Sequence, residues 1–324
     1  LSAPALAAST DALLQQSTAA KSAVSVLDEE NGTEVETEYQ MNLKYGSITV
    51  YIGADDKQYV QQGNNEAQQR GNLSITTDGS QTHNTITIEG GTTAAKVTLH
   101  NVNIDASGAA VSVSGDVELI ISGTNTLQSG WGHAGVEKAD DNGTLTISGS
   151  GTLEAYGGYW GAGIGGGQHA AGQNITIRDG NVTAIPGSEA AGIGGGCRGD
   201  GRNITIEGGT VYSRSGGGRG PAAAIGGGRW PGKGENIKIT GGNVTLQIVD
   251  DEGIYIGNGQ EEAEIDTSIL LGTITKLDKD GNQVGEIVQY FKITINDTPV
   301  TRKNYTDILG NGTLYYDIEE KTLK

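Results

Sequence analysis

Gly161-Ala-Gly-Ile-Gly-Gly-Gly167 opens a unit that continues with Asn174-Ile-Thr-Ile177 and Asn181-Val-Thr-Ala184. The same order returns twice. Ala190-Ala-Gly-Ile-Gly-Gly-Gly196 precedes Asn203-Ile-Thr-Ile206 and Thr210-Val-Tyr-Ser213, and Ala222-Ala-Ala-Ile-Gly-Gly-Gly228 precedes Asn236-Ile-Lys-Ile239 and Asn243-Val-Thr-Leu246. The isoleucines Ile164, Ile193 and Ile225 lie 29 and 32 residues apart. A fixed period of this length marks a solenoid, in which each repeat is one unit stacked on the next. Within a unit, Ile175 and Ile177 share one side of an alternating strand and Thr176 takes the other. Asp179-Gly180, Gly208-Gly209 and Gly241-Gly242 supply sharp corners, since glycine accepts positive φ at little cost. Three strands and three corners per unit describe one coil of a right-handed parallel β-helix, an all-β fold. Stacking predicts columns of Ile175, Ile204 and Ile237, and of Val182, Val211 and Val244. It also predicts a hydrogen-bonded ladder of Asn174, Asn203 and Asn236 at a corner.

The rhythm extends outward in both directions. Thr85-Ile-Thr-Ile88, Lys96-Val-Thr-Leu99, Val117-Glu-Leu-Ile120 and Thr144-Leu-Thr-Ile147 read as strands of earlier coils. Ala109 to Val113 and Ala134-Gly-Val136 stand where later coils carry the Ile-Gly-Gly-Gly strand. Gly253-Ile-Tyr-Ile-Gly-Asn-Gly259 reads as a decayed fourth copy. Gly46-Ser-Ile-Thr-Val-Tyr-Ile52 is the expected cap of the first coil. The chain therefore divides into an N-terminal extension (1–45), a capped β-helix (46–275) and a β-rich C-terminal segment (276–324) that reads as the opening of a further module. Residues 9–30 are expected to be helical or loose. Leu1 to Ser9 looks like the remnant of a secretory signal with an Ala-x-Ala site. Phe291 to Ile295 and Thr313 to Asp317 are expected strands.

Composition agrees with a thin-cored solenoid. The chain of 324 residues has 54 glycines, one Phe, one Met, three Trp and one Cys, and a formal net charge of −18. That balance argues against nucleic acid and anionic lipid, which recruit clustered Lys and Arg. It fits an extracellular protein and is compatible with Ca²⁺ without requiring it. No cofactor is implied, and no apolar run approaches the ~20 residues of a membrane span. A lone Cys197 excludes an intrachain disulfide.

The repeat unit, with the lead-in Val97-Thr-Leu-His-Asn-Val-Asn-Ile-Asp105 and the link Ala134-Gly-Val-Glu-Lys138 to Gly143-Thr-Leu-Thr-Ile147, resembles long surface proteins of gut Firmicutes and Actinobacteria. The tail from Ile295-Asn-Asp-Thr-Pro-Val-Thr301 to Ile308-Leu-Gly-Asn-Gly-Thr313 resembles the segment that opens a further module in such proteins. Members are often labelled carbohydrate-binding or cell-surface proteins. The resemblance covers most of residues 45–324 and implies a bacterial, secreted or cell-surface β-helix that binds carbohydrate. It implies no particular activity, because lyases, hydrolases, adhesins and phage fibres share this scaffold.

Function on a β-helix usually sits on loops that interrupt one face. Here the irregular loops flank the Ile-Gly-Gly-Gly strand. They carry Trp131, His133, Tyr159, Trp160, His169, Arg198, Asp200, Arg214, Arg219, Arg229 and Trp230, and so hold every tryptophan of the chain. Aromatic faces beside planar donors suit sugars, whose C–H faces stack while their hydroxyls take hydrogen bonds. The ligand-binding candidates are Trp131, His133, Tyr159, Trp160, His169, Arg198, Asp200, Arg219 and Trp230. The plain alternative is that the tryptophans cover coil edges and the arginines are solvated. A glycoside hydrolase or polysaccharide lyase would instead need carboxylates converging on one linkage; Asp250, Asp251 and Glu252 lie near the last coil, and Glu137, Asp140, Asp141 and Asp200 are the residues such an enzyme would bring together. No carboxylate recurs at one repeat position, however. Four scattered histidines and Cys197 form no zinc pattern. Cys197 reads as a surface or edge thiol, Arg198-Gly-Asp200 as a chance tripeptide, and the glycine runs lack the Lys-Ser/Thr of a phosphate loop. The favoured expectation is a non-catalytic surface module for glycans or another host or community ligand; an enzyme and a structural stalk are the alternatives.

Overall fold

A computed structural model of the chain describes residues 38–138, 140–263 and 271–285, together with the paired backbone of Val288–Gln289, Thr294–Ile295, Thr298–Pro299, Tyr316–Asp317 and Thr322–Leu323. It is a three-faced parallel β-helix. The Asn-Ile face is an eight-stranded sheet running from Tyr39–Asn42 through Ala95–His100 and Gly172–Ile177 to Gly234–Ile239. The Val-Thr face runs from Asn103–Asp105 through Asn181–Ile185 to Gly241–Gln247 and Leu271–Leu277, and is closed by the antiparallel Val288–Gln289. The Ile-Gly face runs from Ile48–Ile52 through Ile86–Glu89, Val111–Ser114 and Val136–Glu137 to Ile164–Gly165, Ile193–Gly194, Ala223–Gly226 and Ile254–Gly257.

The register follows the repeat. Ile175 pairs with Ile204 and Ile204 with Ile237, while Val182, Val211 and Val244 form the second column. Ile164, Ile193, Ile225 and Ile256 form a third, so the decayed copy at Gly253–Gly259 is a true coil. Most of these side chains are shielded from solvent, with Ile237 only partly covered. Each such burial stabilises by about 1.5–3 kcal/mol. No single coil could shield these residues alone. The Asn ladder is present: Asn236 Nδ2 donates to Asn203 Oδ1 (2.7 Å), Asn203 Nδ2 to Asn174 Oδ1 (2.9 Å), and Asn174 Nδ2 to the Asp141 carbonyl (3.0 Å). All three asparagines have φ between 51 and 55°. Asn tolerates that left-handed conformation better than other residues with a Cβ.

The solenoid begins earlier than residue 46, because Tyr39–Asn42 already pairs in parallel with Leu73–Thr76. Its first coil is covered by an antiparallel hairpin, Gln58–Gln62 and Gln68–Gln69, which extends the Ile-Gly face at Ile48–Ile52. Two buried glutamines satisfy the backbone that this end would leave open. Gln58 Nε2 donates to the Arg70, Gly71 and Lys96 carbonyls, and its Oε1 accepts from the Lys96 amide. Gln62 Nε2 donates to the Asn42 and Gly46 carbonyls. On the Ile-Gly face the hairpin leaves only the two-residue strand Gln68–Gln69 at the sheet edge, which offers little for other chains to pair with. The expected helical or loose stretch at 9–30, the signal remnant and most of the C-terminal segment lie outside the described residues. Of the expected terminal strands, Thr294–Ile295 pairs with Thr298–Pro299 and Tyr316–Asp317 with Thr322–Leu323.

Candidate functional site

Short turns project on both sides of the Ile-Gly strands. Before the strand, Gly130-Trp-Gly-His133 and Gly158-Tyr-Trp-Gly161 each close with an amide-to-carbonyl bond, His133 to Gly130 (3.1 Å) and Gly161 to Gly158 (2.8 Å). After it, Gly167-Gln-His-Ala170 and Gly196-Cys-Arg-Gly199 close the same way, at 3.0 and 2.8 Å. The third residue of each turn has positive φ: Gly132 80°, Trp160 73°, His169 64° and Arg198 66°. Glu189, in the next coil, takes the place of Trp160 at 62°. These residues also hold the coils together. The carbonyls of Gly132, Trp160 and Glu189 accept the amides of Gln168 (2.7 Å), Cys197 (2.9 Å) and Arg229 (2.9 Å) from the following coil.

Glycine does this work without strain, as Gly132 shows. A residue with a Cβ pays about 1–2 kcal/mol in the same conformation. Outside glycine, positive φ occurs among the described residues at Asp56, Asp78, Asn101, Asn174, Asn203 and Asn236, and otherwise only at Trp160, His169, Glu189 and Arg198. The first group has short polar side chains that suit this region. The second group does not, and all four of its members line one cavity. Backbone strain of this kind clusters at ligand clamps and active sites, which makes the cavity the candidate site.

The cavity has a volume of about 330 Å³ and is lined by Tyr159, Trp160, Gln168, His169, Glu189, Cys197, Arg198, Arg219 and Arg229. Beside it lies an aromatic shelf. The rings of Tyr159 and Trp160 are 5.0 Å apart, those of Trp131 and Trp160 5.6 Å, and those of Trp131 and Tyr159 6.4 Å. Trp131 and Tyr159 are 64% and 54% exposed. The Trp160 indole Nε1 is buried without a hydrogen-bond partner. Buried donors in native folds rarely stay unpaired without a reason.

Glu189 anchors the cavity floor. Its carboxylate accepts Arg229 Nη1 (2.9 Å), the Arg219 amide (3.0 Å) and the Cys197 thiol (3.4 Å). Burial by itself would raise its pKa, but these bonds outweigh burial and hold the carboxyl below its ordinary value. Cys197 is therefore not a surface thiol: it is 4% exposed. Burial, then the neighbouring Glu189 carboxylate, push it up to about 11, which leaves little thiolate at neutral pH for nucleophilic chemistry. Arg229 is committed to Glu189. Arg198 and Arg219 have exposed side chains with no carboxylate partner among the described residues.

Of the residues singled out in the sequence, Tyr159, Trp160, His169, Arg198 and Arg219 come together at the cavity, with Trp131 continuing the shelf. Trp230 follows Arg229 in the next loop, 61% exposed and outside the lining. His133 is turned to Glu137, with Nδ1 to Oε2 at 3.1 Å. The candidate carboxylates do not line the cavity. Glu137 also accepts the Ala134 amide, Asp140 pairs with the buried Lys138, and Asp200 pairs with Arg202 and accepts the Lys233 amide. Asp141 engages the Asn ladder through its carbonyl. The lining residues Gln168, Glu189, Cys197 and Arg229 were not candidates, although the repeat holds a signal for them. The position before the Gly-Ala-Gly-Ile unit holds Trp160 and Glu189, and the two after it hold Gln168/His169, Cys197/Arg198 and Arg229/Trp230. Chemistry varies there while the frame stays constant. Among the described residues no group of three or more His, Cys, Asp or Glu converges as a metal site, and no helix is long and apolar enough to cross a membrane.

The fold and the repeat define a class, the parallel β-helix repeat proteins. A family described as a beta helix repeat matches residues 145–168, 175–197 and 204–229. Each matched stretch starts on an Asn-Ile strand and ends on a cavity residue: Gln168, Cys197 and Arg229. No curated protein and no solved structure shows significant similarity to the chain.

Proposed function

We propose that the chain is a secreted or cell-surface bacterial module that binds a saccharide, through the cavity and its aromatic shelf, without catalysing a reaction. One observation carries this reading. Every described residue that takes a left-handed backbone without being Gly, Asn or Asp faces the same cavity, next to Trp131 and Tyr159. Stability alone would favour glycine there, as at Gly132. A volume of about 330 Å³ lies at the small end of the roughly 300–1,000 Å³ of ligand pockets, and suits one or two sugar rings. Exposed Trp and Tyr faces give a sugar ring a stacking surface with little side-chain entropy to lose. A non-catalytic role is supported by Glu137, Asp140 and Asp200, which are engaged elsewhere, and by Glu189, whose oxygens are held by Arg229, the Arg219 amide and Cys197.

The test is a glycan array probed with the whole chain, followed by titration calorimetry on each hit. Tyr159→Ala and Trp160→Ala should each weaken binding about tenfold or more, equivalent to ~1.4 kcal/mol. Trp131→Ala, at the rim, should weaken it less. New reducing ends appearing with a bound glycan would replace this reading with an enzyme. Silence across the array, with folded protein, would leave a structural stalk.

A further inference from the structure

We infer that the saccharide is acidic, with its carboxylate or sulfate group held by Arg198 and Arg219 and a sugar ring stacked against Trp160. This rests on the binding reading above and adds the class of ligand. The argument is an account of unmet hydrogen-bonding capacity. Glu189 is the only carboxylate in the lining, and its oxygens already accept Arg229, the Arg219 amide and Cys197. What stays unpaired is weighted toward donors. The Arg198 and Arg219 guanidinium groups are exposed and have five N–H each. Gln168 and His169 can serve either way. A cavity rich in idle donors is matched by a ligand group that only accepts, and an oxyanion is such a group.

The charge balance sharpens the point. In a chain with 39 acidic and 21 basic residues, carboxylates are abundant as partners. Lys57, Lys96, Lys138, Arg178, Arg202 and Lys276 each sit within 4 Å of one. Arg198 and Arg219, like Lys44, Arg70, Arg214 and Lys238, have no carboxylate within 4 Å among the described residues, and of these six only Arg198 and Arg219 line the cavity. A net charge of −18 repels anions at long range, so an acidic ligand must be held by local contacts. Arginine suits this, because its planar fork meets a carboxylate or sulfate with two parallel bonds. The separate role of Arg229, which neutralises the buried Glu189, keeps that carboxylate from cancelling the other two cations.

The experiment titrates the whole chain with uronate, sialate and sulfated oligosaccharides. Each is paired with its methyl ester or desulfated counterpart, and an oligoglutamate peptide serves as a non-sugar anion. At least one acidic sugar should bind about tenfold or more tightly than its neutral twin. Uronates or sialates alone would mark a carboxylate, and sulfated sugars alone a sulfate; either supports the inference. Arg198→Gln and Arg219→Gln each reduce that preference several-fold, and together they abolish it while binding of the neutral twin persists. Trp160→Ala removes the stacking surface and weakens the acidic sugar and its neutral twin alike. Circular dichroism melts confirm that each variant is folded. Equal affinity for acidic and neutral twins, unchanged in the arginine variants, overturns the inference and leaves the saccharide reading standing. Preference for oligoglutamate, or no saccharide binding at all, overturns both.

Discussion

In the upstream coils the Ile-Gly face buries two side chains per strand, Ile86 with Ile88 and Val111 with Val113. From Ile164 onward the same face buries one isoleucine and then turns on a glycine. The register is continuous, with Thr87, Ser112, Glu137, Gly165, Gly194, Gly226 and Gly257 in one column. At the four glycines φ is 132–138°, and a Cβ on Gly165, Gly194 or Gly226 would sit 2.0 Å from the carbonyl oxygen of the next coil. Downstream corners are thus closed by backbone against backbone. The Ala162, Ala191 and Ala223 amides donate to the Gly166, Gly195 and Gly227 carbonyls at 2.9–3.0 Å, and the Gly166, Gly195 and Gly227 amides donate onward to the next coil at 2.8–2.9 Å. A corner this tight projects the loops before and after the strand close together, and the cavity forms between them. The upstream strands rely on side chains, and of their turns Gly130-Trp-Gly-His133 alone reaches the aromatic shelf, through Trp131. The downstream half gives up core volume and gains a cavity.

The largest expected effect tests that contrast directly. Gly194→Ala places a methyl group against the Gly226 carbonyl at a φ that alanine rarely adopts, and should cost more than about 4 kcal/mol or prevent folding. Ser112→Ala, in the same column, should stay within about 0.5 kcal/mol. Urea unfolding midpoints compare the two. Similar midpoints would mean that the two halves close their corners alike. Lys138 marks the junction between them. Its amide donates to the Gly165 carbonyl (2.7 Å), the step that Gly166 makes to Gly194 one coil later. Its side chain is fully buried, with Nζ held by the Asp140 carboxylate and the Asn142 carbonyl (2.7 Å). Lys138→Met takes the ammonium from the Asn142 carbonyl and from the Asp140 carboxylate, which keeps only the Gly115 amide (3.1 Å). Breaking a buried pair costs about 3–5 kcal/mol, and because Asp140 is 26% exposed, about 2–3 kcal/mol is expected in a thermal melt. A loss of less than about 1 kcal/mol would show that the junction does not depend on this buried charge.

The core and the Asn ladder were legible in the sequence because both depend on recurrence alone. Ile175, Ile204 and Ile237 recur at one repeat position, and a solenoid converts equal position into contact. The cavity was only half legible. Tyr159, Trp160, His169, Arg198 and Arg219 stand out by chemistry, whereas Glu189 meets Arg229 across 40 residues and three different loops meet at its carboxylate. Nothing local in Ser188-Glu189-Ala190 announces that. Cys197 misled for the related reason that a repeat position reports height along the solenoid and not burial. Glu137, Asp140 and Asp141 are close in sequence, yet Glu137 turns to His133 while Asp140 closes over Lys138. Closeness along a loop did not bring their carboxylates to one point. Tyr39–Asn42 was invisible as a coil member because the partner that defines it, Leu73–Thr76, lies beyond an intervening hairpin.

The smallest expected effect has an unusual sign. Arg198 holds φ at 66° in the third place of its turn, where glycine is the usual occupant. Arg198→Gly relieves about 1–2 kcal/mol of backbone strain and returns about 0.5–1 kcal/mol to the flexibility of the unfolded chain. A net gain of roughly 0.5–1 kcal/mol is expected, measured as a raised urea midpoint. His169→Gly, at 64° in the equivalent turn, should behave alike. Asn203→Gly is the control. Its φ of 51° is tolerated by asparagine, and the change removes ladder bonds at 2.7 and 2.9 Å, so no gain is expected. Stability alone would favour glycine at 198 and 169, the residue that Gly132 supplies in the third place of its own turn. Stabilisation by Arg198→Gly together with weakened binding of an acidic sugar would identify the strain as the cost of a working side chain. Destabilisation would mean instead that Arg198 supports the turn, and the glycine-cornered half would lose its claim to have traded stability for a site.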